Sequence, residues 1–173
     1  MTLTLIARNP FTMQIGIAIA SGSDDCAGGS LYRGAAGVVS VQAKGDRAVG
    51  ARALALLEAG TPSDDILAAL AAEDRKLAYR QVLVVPFDGD LRVTTGEQCL
   101  PWAGQIQKEH YLLAGNMLAG EKVLAAMEKA WLADRNAPMR RRLLAALQAG
   151  TGEGGDLRGH KSAAVIVMGD RPF

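Results

Sequence analysis

Strands and helices follow one another in groups along this chain, and this order constrains the fold more than any other feature. Large apolar residues alternate with smaller ones from Met13 to Ile19, which predicts a strand over residues 13–20. A turn signal, Asn-Pro-Phe-Thr at 9–12, joins it to a first strand over residues 2–7, so the two form a hairpin. Helices that come in pairs and strands joined by tight turns favour antiparallel sheets over a parallel, doubly wound sheet.

The remaining patterns complete an α+β chain. Thr61 and Pro62 are typical of a helix start, with Thr61 as the cap and Pro62 at the first helical position. Residues 21–34 and 151–161 are rich in Gly and polar residues and predict loops. The other predicted strands cover 37–42, 81–87, 91–95, 111–115 and 162–168, and the predicted helices cover 47–59, 61–74, 121–134 and 138–149. We therefore predict one domain over residues 1–173, with two mostly antiparallel sheets covered by two helical layers.

The composition indicates a globular protein without a strongly charged partner. Of 173 residues, 49% are hydrophobic and 21% are charged, and the formal net charge is +1. Such a small charge attracts neither nucleic acid nor an anionic membrane, and the basic cluster from Arg140 to Arg142 fits the solvated face of a helix. The first residues lack the pattern of a signal peptide, and no run of about 20 apolar residues exists to span a bilayer. We expect a cytoplasmic protein with no nucleic-acid or membrane partner.

The potential metal ligands do not fall at metal-binding spacings. The cysteines are Cys26 and Cys99, and the histidines are His110 and His160. Their positions predict no metal site and leave room for one disulfide at most. Two aspartates directly precede Cys26, and their negative charge disfavours a cysteine nucleophile there. We expect neither a metal nor a cofactor.

Thr2 has the greatest catalytic potential in the sequence. Aminopeptidases commonly remove Met1 before a small residue, and Thr2 would then carry both a hydroxyl and a free α-amine. The hydroxyl can act as a nucleophile and the amine as its general base, as in threonine-type N-terminal nucleophile enzymes. An α-amine has an ordinary pKa of about 8, so a useful fraction accepts a proton near neutrality. The competing interpretation is an ordinary threonine in a strand.

Asn116 and Ser21 are predicted to assist Thr2. Asn116 lies between a predicted strand and a predicted helix, where its amide N–H can stabilise an oxyanion. Ser21 follows the second strand of the hairpin, which returns beside the chain start, so its hydroxyl can bond the α-amine or relay a proton. The competing interpretations are an asparagine in a turn or helix cap and a serine that satisfies nearby backbone groups.

Four further residues are candidates for substrate binding. Asp156 can hold a substrate amine or the α-ammonium of Thr2, and Arg158 can bind a substrate carboxylate through its forked guanidinium. Alternatively, these two residues pair with each other and order their own loop. Gln42 ends the third predicted strand and can contact substrate. Lys44 follows it and can lower the pKa of a nearby amine by charge repulsion, unless it is simply solvated.

Several sequence blocks together point to a known family. They are Thr-Leu-Thr-Leu-Ile-Ala-Arg-Asn-Pro at 2–10, Ile-Ala-Ile-Ala-Ser at 17–21, Val-Gln-Ala at 41–43, Thr-Gly to Trp-Ala-Gly at 95–104, Gly-Asn-Met-Leu-Ala-Gly at 115–120, Gly-Gly-Asp-Leu-Arg-Gly at 154–159 and Ser-Ala-Ala at 162–164. In this order and spacing the chain resembles the prokaryotic family catalogued as domain of unknown function 1028. The resemblance implies a four-layer αββα sandwich of the N-terminal nucleophile hydrolase type, and it favours a functional Thr2.

The chain departs from that family's pattern in three places. Ser21 is followed by Gly-Ser-Asp-Asp-Cys, where members usually have a Lys and an apolar Ala-Val-Gly stretch. Asn9 stands where members usually have Asp, and Lys161 stands where they often have Gln. The first departure rewrites a loop expected near Thr2, and so it bears on both substrate and activity.

These observations lead to two alternative functions. The first is an amidohydrolase that cleaves an amide bond of a small-molecule substrate, a C–N bond other than a peptide bond, through Thr2. The second is a non-catalytic protein of the same fold that binds a small ligand or assembles with other copies. In either case we expect a homo-oligomer, in particular a dimer. A free amine on Thr2 discriminates between the two functions.

Overall fold

In the computed structural model, which describes residues 2–169, nine strands form two antiparallel sheets. The strands are β1 (Thr2–Asn9), β2 (Gln14–Ser21), β3 (Leu31–Arg33), β4 (Gly37–Ala43), β5 (Arg80–Pro86), β6 (Arg92–Thr95), β7 (Gly104–Gln107), β8 (Tyr111–Asn116) and β9 (Ser162–Gly169). A five-stranded sheet has the order β7-β8-β1-β2-β9, and a four-stranded sheet has the order β3-β4-β5-β6. All neighbouring strands run antiparallel, so the predicted antiparallel arrangement is confirmed.

Five α-helices accompany the sheets over the same residues. They are α1 (Cys26–Ser30), α2 (Arg47–Glu58), α3 (Ser63–Glu73), α4 (Lys122–Ala133) and α5 (Met139–Gly152). The side chains of Asp25 and Asp46 accept hydrogen bonds from the first turns of α1 and α2 and so cap them. The predicted cap at Thr61 is wrong. Pro62 has an extended ψ of 146° and occupies the capping position itself, so α3 begins at Ser63.

The sequence prediction fails where elements are short. The predicted loop over 21–34 contains both α1 and β3, which span five and three residues, too few to show a period. The four residues of β7 are only partly buried and are likewise not predicted. The other predicted elements are confirmed to within two residues at each end, except that α5 continues to Gly152, into the predicted loop over 151–161.

Three hydrophobic clusters hold these elements together. The first joins residues of β1, β2 and β8, such as Leu3, to α4 and α5, where Met127 and Leu143 are fully buried. Another joins β4 and β5 to α2 and α3. The remaining cluster draws on both sheets, with Ile17 of β2 and Leu83 of β5 among its members. The sheet faces that do not contact these four helices therefore share one core, which we call the inter-sheet core.

The helices and thiols of this fold bear on two of the expectations. None of the helices between residues 2 and 169 is long and apolar enough to cross a bilayer. Cys26 is a buried free thiol and Cys99 is a partly buried one, so the disulfide that the sequence left open is not formed.

Candidate functional site

A row of four polar side chains crosses the five-stranded sheet at one end. Thr2 pairs with Asn116 of β8 on one side and with Ser21 of β2 on the other, and Ser21 pairs with Ser162 of β9. Side chains alternate along a strand, and Leu3 packs with α4 and α5, so these four side chains lie on the opposite face of the sheet. We call Asn116, Thr2, Ser21 and Ser162 the polar row. It brings the three predicted catalytic residues together.

Thr2 is buried in the middle of this row, with 4% of its surface exposed. Its hydroxyl donates toward Ser21 Oγ over 3.4 Å, which is longer than the roughly 2.7–2.8 Å of a strong O–H···O bond. Ser21 Oγ also accepts from the N–H and the hydroxyl of Ser23, at 3.1 and 2.9 Å. A hydroxyl oxygen has two lone pairs, so Ser23 takes most of its accepting capacity. The Thr2 hydroxyl is therefore held only weakly.

The side chain of Asn116 is fixed by a glutamine of the other sheet. Asn116 Nδ2 donates to Gln81 Oε1 at 2.9 Å, and both residues are buried. Gln81 Oε1 also accepts from Gln42 Nε2 at 3.0 Å, while Gln42 Oε1 accepts from the Thr4 hydroxyl at 2.7 Å. The predicted residues Asn116 and Gln42 thus belong to one hydrogen-bond network, which spans both sheets.

Gln81 is the central residue of this network, and the sequence prediction does not single it out. It has no exposed surface, and its Nε2 lies 3.0 Å from Thr95 Oγ1, 3.0 Å from the Gly104 carbonyl and 2.8 Å from the Gly115 carbonyl. One carboxamide therefore connects β5 to β6, β7 and β8. The sequence signal that could reveal it is a glutamine next to an apolar run in a strand, because such a buried amide needs hydrogen-bond partners.

The backbone adopts unfavourable conformations directly beside two members of the network. Ala43, which follows Gln42, has a φ of 67°, and Met117, which follows Asn116, has a φ of 51°. Both lie in the left-handed region, which favours glycine. Such conformations cost about 1–3 kcal/mol each and cluster at functional sites. Their position supports a functional role for this end of the inter-sheet core.

Asp156 attaches the glycine-rich loop to the end of β2. Its Oδ2 accepts from the Gly22 N–H at 2.6 Å, and its Oδ1 accepts from the Arg158 N–H at 2.8 Å. The guanidinium of Arg158 lies 3.5 Å from Asp156 Oδ2; its side chain is 47% exposed, whereas the Asp156 side chain is fully buried. A Cβ on Gly22 would lie 2.9 Å from Asp156 Oδ2, so this approach requires glycine. These contacts are those of a pair that orders its own loop, beside Ser21.

The ammonium group of Lys44 contacts an aromatic ring. Lys44 is exposed, and its Nζ lies 5.4 Å from the centre of the Tyr79 ring, within range of a cation–π interaction. The residue follows β4 and Gln42, so it is close to the network in sequence. The contacts described for its side chain are with Tyr79 and not with the polar row.

An ion cluster around a buried arginine lies at the same end of β4 and β5. The guanidinium of Arg80 is 2% exposed and contacts Asp74 at 2.6 Å, Asp46 at 3.1 Å and the Lys44 carbonyl. The hydrogen bond from Arg80 holds the pKa of Asp74 below its ordinary value, against a smaller opposing effect of burial. We call Arg80, Asp46 and Asp74 the Arg80 cluster. Asp46 lies at the start of α2 and Asp74 at the end of α3, so the cluster joins both helices to Arg80, the β5 residue that precedes Gln81.

The groups gathered at the polar row are hydroxyls and carboxamides. Among residues 2–169, no three His, Cys, Asp or Glu side chains are arranged to hold a metal ion. Burial raises the pKa of the Cys99 thiol, which disfavours its thiolate. His160 uses its Nε2 to accept from the Asp156 N–H at 3.2 Å. A hydroxyl flanked by a carboxamide can attack a carbonyl group and find a donor for the resulting oxyanion.

The two antiparallel sheets, with a polar row at one end of the core between them, make this a mixed α+β protein with a polar site inside its core. The chain belongs to a family described as a family of unknown function (DUF1028), whose sequence model matches residues 2–172. It is similar to a crystal structure of protein SPO2555 from Silicibacter pomeroyi, described as DUF1028, with 33% identity and a TM-score of 0.87 over 99% of this chain and 77% of that one. No curated protein matches the chain.

Proposed function

We propose that this protein is an N-terminal nucleophile hydrolase that cleaves an amide bond of a small molecule, with Thr2 as the nucleophile. The observation that carries the proposal is the pairing of Thr2 with Asn116 and Ser21 at the polar row. Membership of the family does not supply the activity, because the function of the family is unknown. The support therefore comes from the chemistry of the gathered side chains.

Removal of Met1 would give Thr2 an α-amine next to its own hydroxyl. The Thr2 Oγ1 attacks the substrate carbonyl, and its proton passes to this amine. One N–H of Asn116 is bonded to Gln81, and the other stabilises the oxyanion. Collapse of the intermediate breaks the C–N bond, and the leaving nitrogen takes the proton from the Thr2 ammonium. Water then hydrolyses the acyl ester, releasing a carboxylic acid and restoring Thr2.

The groups near the end of the polar row, above all Arg158, select the substrate. Arg158 is half exposed, so a substrate carboxylate can reach its guanidinium. The buried carboxylate of Asp156 holds the loop that presents Arg158. Gln42 is already bonded to Thr4 and Gln81, and in this proposal it supports Asn116 through Gln81.

We also propose that the fold is the four-layer αββα sandwich of N-terminal nucleophile hydrolases. Its support is the division of the apolar residues into three clusters, two on helix-covered sheet faces and one shared by both sheets. Thr2 begins β1, and its side chain faces the space between the sheets.

The first experiment is the intact mass of untagged protein, for which loss of one methionine residue is expected. Thr2→Ala should then abolish hydrolysis in a screen of small amides and prevent acylation by p-nitrophenyl acetate, while Thr2→Ser keeps part of both. Thr12→Ala is the matched control, because Thr12 is an exposed threonine in the β1–β2 turn. Retention of Met1, or acylation of Thr2→Ala at the wild-type level, would contradict the proposal.

The second candidate function is binding of a small ligand without turnover. It is favoured by Ser23, which lies in the loop that departs from the family pattern and donates to Ser21 Oγ through both its N–H and its hydroxyl. This leaves Ser21 little capacity to relay a proton. If this function is correct, a ligand from the amide screen binds Thr2→Ala as tightly as the wild type, and no acyl adduct can be trapped.

We further propose that the chain forms a homodimer through β9, an edge strand of the five-stranded sheet. Its sequence contains no charged residue and no proline, and Val165 and Val167 are 36% and 40% exposed. Charged residues and prolines usually keep natural edge strands from pairing with other chains. Without them, two copies of one strand can pair across a twofold axis. Light scattering after size exclusion should give a dimer, and Val165→Lys combined with Val167→Lys should give a monomer. A monomeric wild type would contradict this proposal.

A further inference from the structure

A cleft lies at the far end of β1 from the polar row. It has a volume of about 510 Å³ and lies between the β1–β2 turn and the connection from α4 to α5. Arg8 at this end is six residues from Thr2, which corresponds to about 20 Å along an extended strand. Clefts of roughly 300–1,000 Å³ are the usual size of small-molecule sites.

The lining of this cleft is positively charged. Arg8, Arg135 and Arg142 are among its lining residues, and no aspartate or glutamate is. Within the described residues, none of the three arginines lies at ion-pair distance from a carboxylate. Burial and the charge of Arg135 both lower the pKa of Arg142, as expected where positive charge is not neutralised, although Asp134 opposes this effect.

Two of the cleft residues carry polar atoms that the protein leaves unsatisfied. Arg8 Nη1 donates to the carbonyls of three residues at 86, 87 and 89, but Arg8 Nε is buried without a partner. His110 Nδ1 is also buried without a partner. Only one other buried side-chain atom in residues 2–169, Ser40 Oγ, shares this condition. Unsatisfied buried groups are few in native proteins, and a bound water or ion can satisfy them.

The walls of the cleft are flat and partly apolar. The guanidinium of Arg142 lies 3.7 Å from the centre of the Trp131 ring and donates to the Trp131 carbonyl at 2.9 and 3.1 Å, so it is held rigidly. Tyr111 meets Trp131 edge to face at 6.3 Å. Phe11 is 96% exposed at the rim, on a turn fixed by the Asn9 side chain. Planar cations and aromatic rings together favour a planar ligand.

We propose that this cleft binds an aromatic organic anion, with its carboxylate or similar group held by Arg135 and Arg142 and its ring packed against Phe11 and Tyr111. The site is independent of any chemistry at Thr2, because it lies at the other end of the sheet. An anion there supplies the negative charge that the three arginines lack among the described residues.

The test is calorimetric titration of the whole chain with 2-naphthoate and with its neutral analogue 2-naphthamide. Naphthoate should bind with a stoichiometry of one, and naphthamide at least about tenfold more weakly, since a hydrogen bond to a charged group contributes that much. Arg135→Ala should weaken naphthoate binding about tenfold and leave naphthamide unchanged. Phe11→Ala should weaken the binding of both compounds.

Two matched controls locate the binding. Arg140→Ala removes the same charge from an exposed arginine outside the cleft and should leave naphthoate binding unchanged. Thr2→Ala should also leave it unchanged. Equal affinity for the two compounds, equal effects of the Arg135 and Arg140 changes, loss of binding in Thr2→Ala, or no binding of naphthoate at millimolar concentration would each overturn the proposal. Thermal melting confirms that the variants, all at exposed or half-exposed positions apart from Thr2, remain folded.

Discussion

The polar row and a second row four residues further along the same strands have opposite chemistry. In the second row Ile6 pairs with Leu112 and with Ile17, and Ile17 pairs with Ile166. We call Leu112, Ile6, Ile17 and Ile166 the apolar row. Both rows lie on the same face of one sheet, and about 13 Å of strand separates them. The strands are the same, so the difference lies entirely in the side chains.

The apolar row needs only close packing, whereas the polar row needs partners. The apolar row packs in the inter-sheet core with residues such as Leu83. At the polar end the same space is filled by the amides of Gln81, Gln42 and Asn116, which bond to one another. Burying amides without partners would cost several kcal/mol, about 2–7 for each group. One end of the core therefore provides stability, and the other presents polar groups in fixed positions.

The largest expected effect on stability is at the apolar row. Ile17→Ala should lower the free energy of unfolding by about 3–4 kcal/mol, because Ile17 is fully buried and its removal leaves a cavity. Urea denaturation measures this change. Leu144→Ala is the control, because Leu144 is 48% exposed on α5 and should lose no more than about 0.5 kcal/mol. A loss below about 1 kcal/mol for Ile17→Ala would mean that the apolar row is not the stable end of the core.

Removing the central amide of the polar end should have the next largest effect. Gln81→Met keeps the approximate size of the side chain but leaves the donors of Asn116 and Gln42 without their acceptor. We expect a loss of about 2–3 kcal/mol in urea denaturation, since unsatisfied buried groups are expensive.

The double variant Gln42→Leu with Gln81→Met isolates the coupling. It should cost less than the sum of the two single changes, because the two variants remove partners of the same hydrogen bond. Additive costs would show that the two amides do not depend on each other, and the contrast between the rows would then rest on burial alone.

The sequence predicts the Thr2–Ser21 pair of the polar row and the Ile6–Ile17 pair of the apolar row, because both pairs lie within one hairpin and depend on short-range patterns. Alternating apolar residues identify β2, and the turn at 9–12 identifies the hairpin that places Ser21 opposite Thr2. Within a hairpin, the turn and the period of two fix the register. Such information is contained in about twenty consecutive residues.

The Asn116 end of the polar row depends on contacts between distant segments, which a single sequence does not encode in a readable way. Asn116 pairs with Thr2 across more than a hundred residues, and Gln81 reaches Asn116 from the other sheet. No local period indicates that two glutamines will face each other between sheets. Lys44 illustrates the same difficulty, because its position after β4 says nothing about its contact with Tyr79.

The polar end is also supported from outside by the Arg80 cluster, and this support should depend on pH. The folded-state pKa of Asp74 lies below its ordinary value, mainly because of the hydrogen bond from Arg80. Its ionised form therefore stabilises the fold above the ordinary pKa of about 3.9, and this contribution is lost as the pH falls through the lower folded-state value. Asp74→Asn should lower stability at pH 7 by about 2 kcal/mol and flatten the acid limb of the stability curve.

Urea denaturation at pH 7, 5, 3 and 2 tests this dependence. Glu97→Gln provides the control, because Glu97 is exposed and forms no ion pair among the described residues. It should follow the wild type at every pH. If Asp74→Asn also follows the wild type, the Arg80 cluster does not stabilise the polar end.

The smallest expected effect is at Thr4, which lies between the two rows on the same face of β1. Thr4 is fully buried and donates to Gln42 Oε1 at 2.7 Å. Thr4→Val keeps the shape and removes the hydroxyl, so it should cost about 1 kcal/mol, the net contribution of one hydrogen bond. Thr4→Ser keeps the hydroxyl and removes a methyl group, and it should leave the Gln42 bond intact. If Thr4→Val instead stabilises the protein in urea, Thr4 belongs energetically to the apolar end. The polar end of the core then begins at Thr2 and not at Thr4.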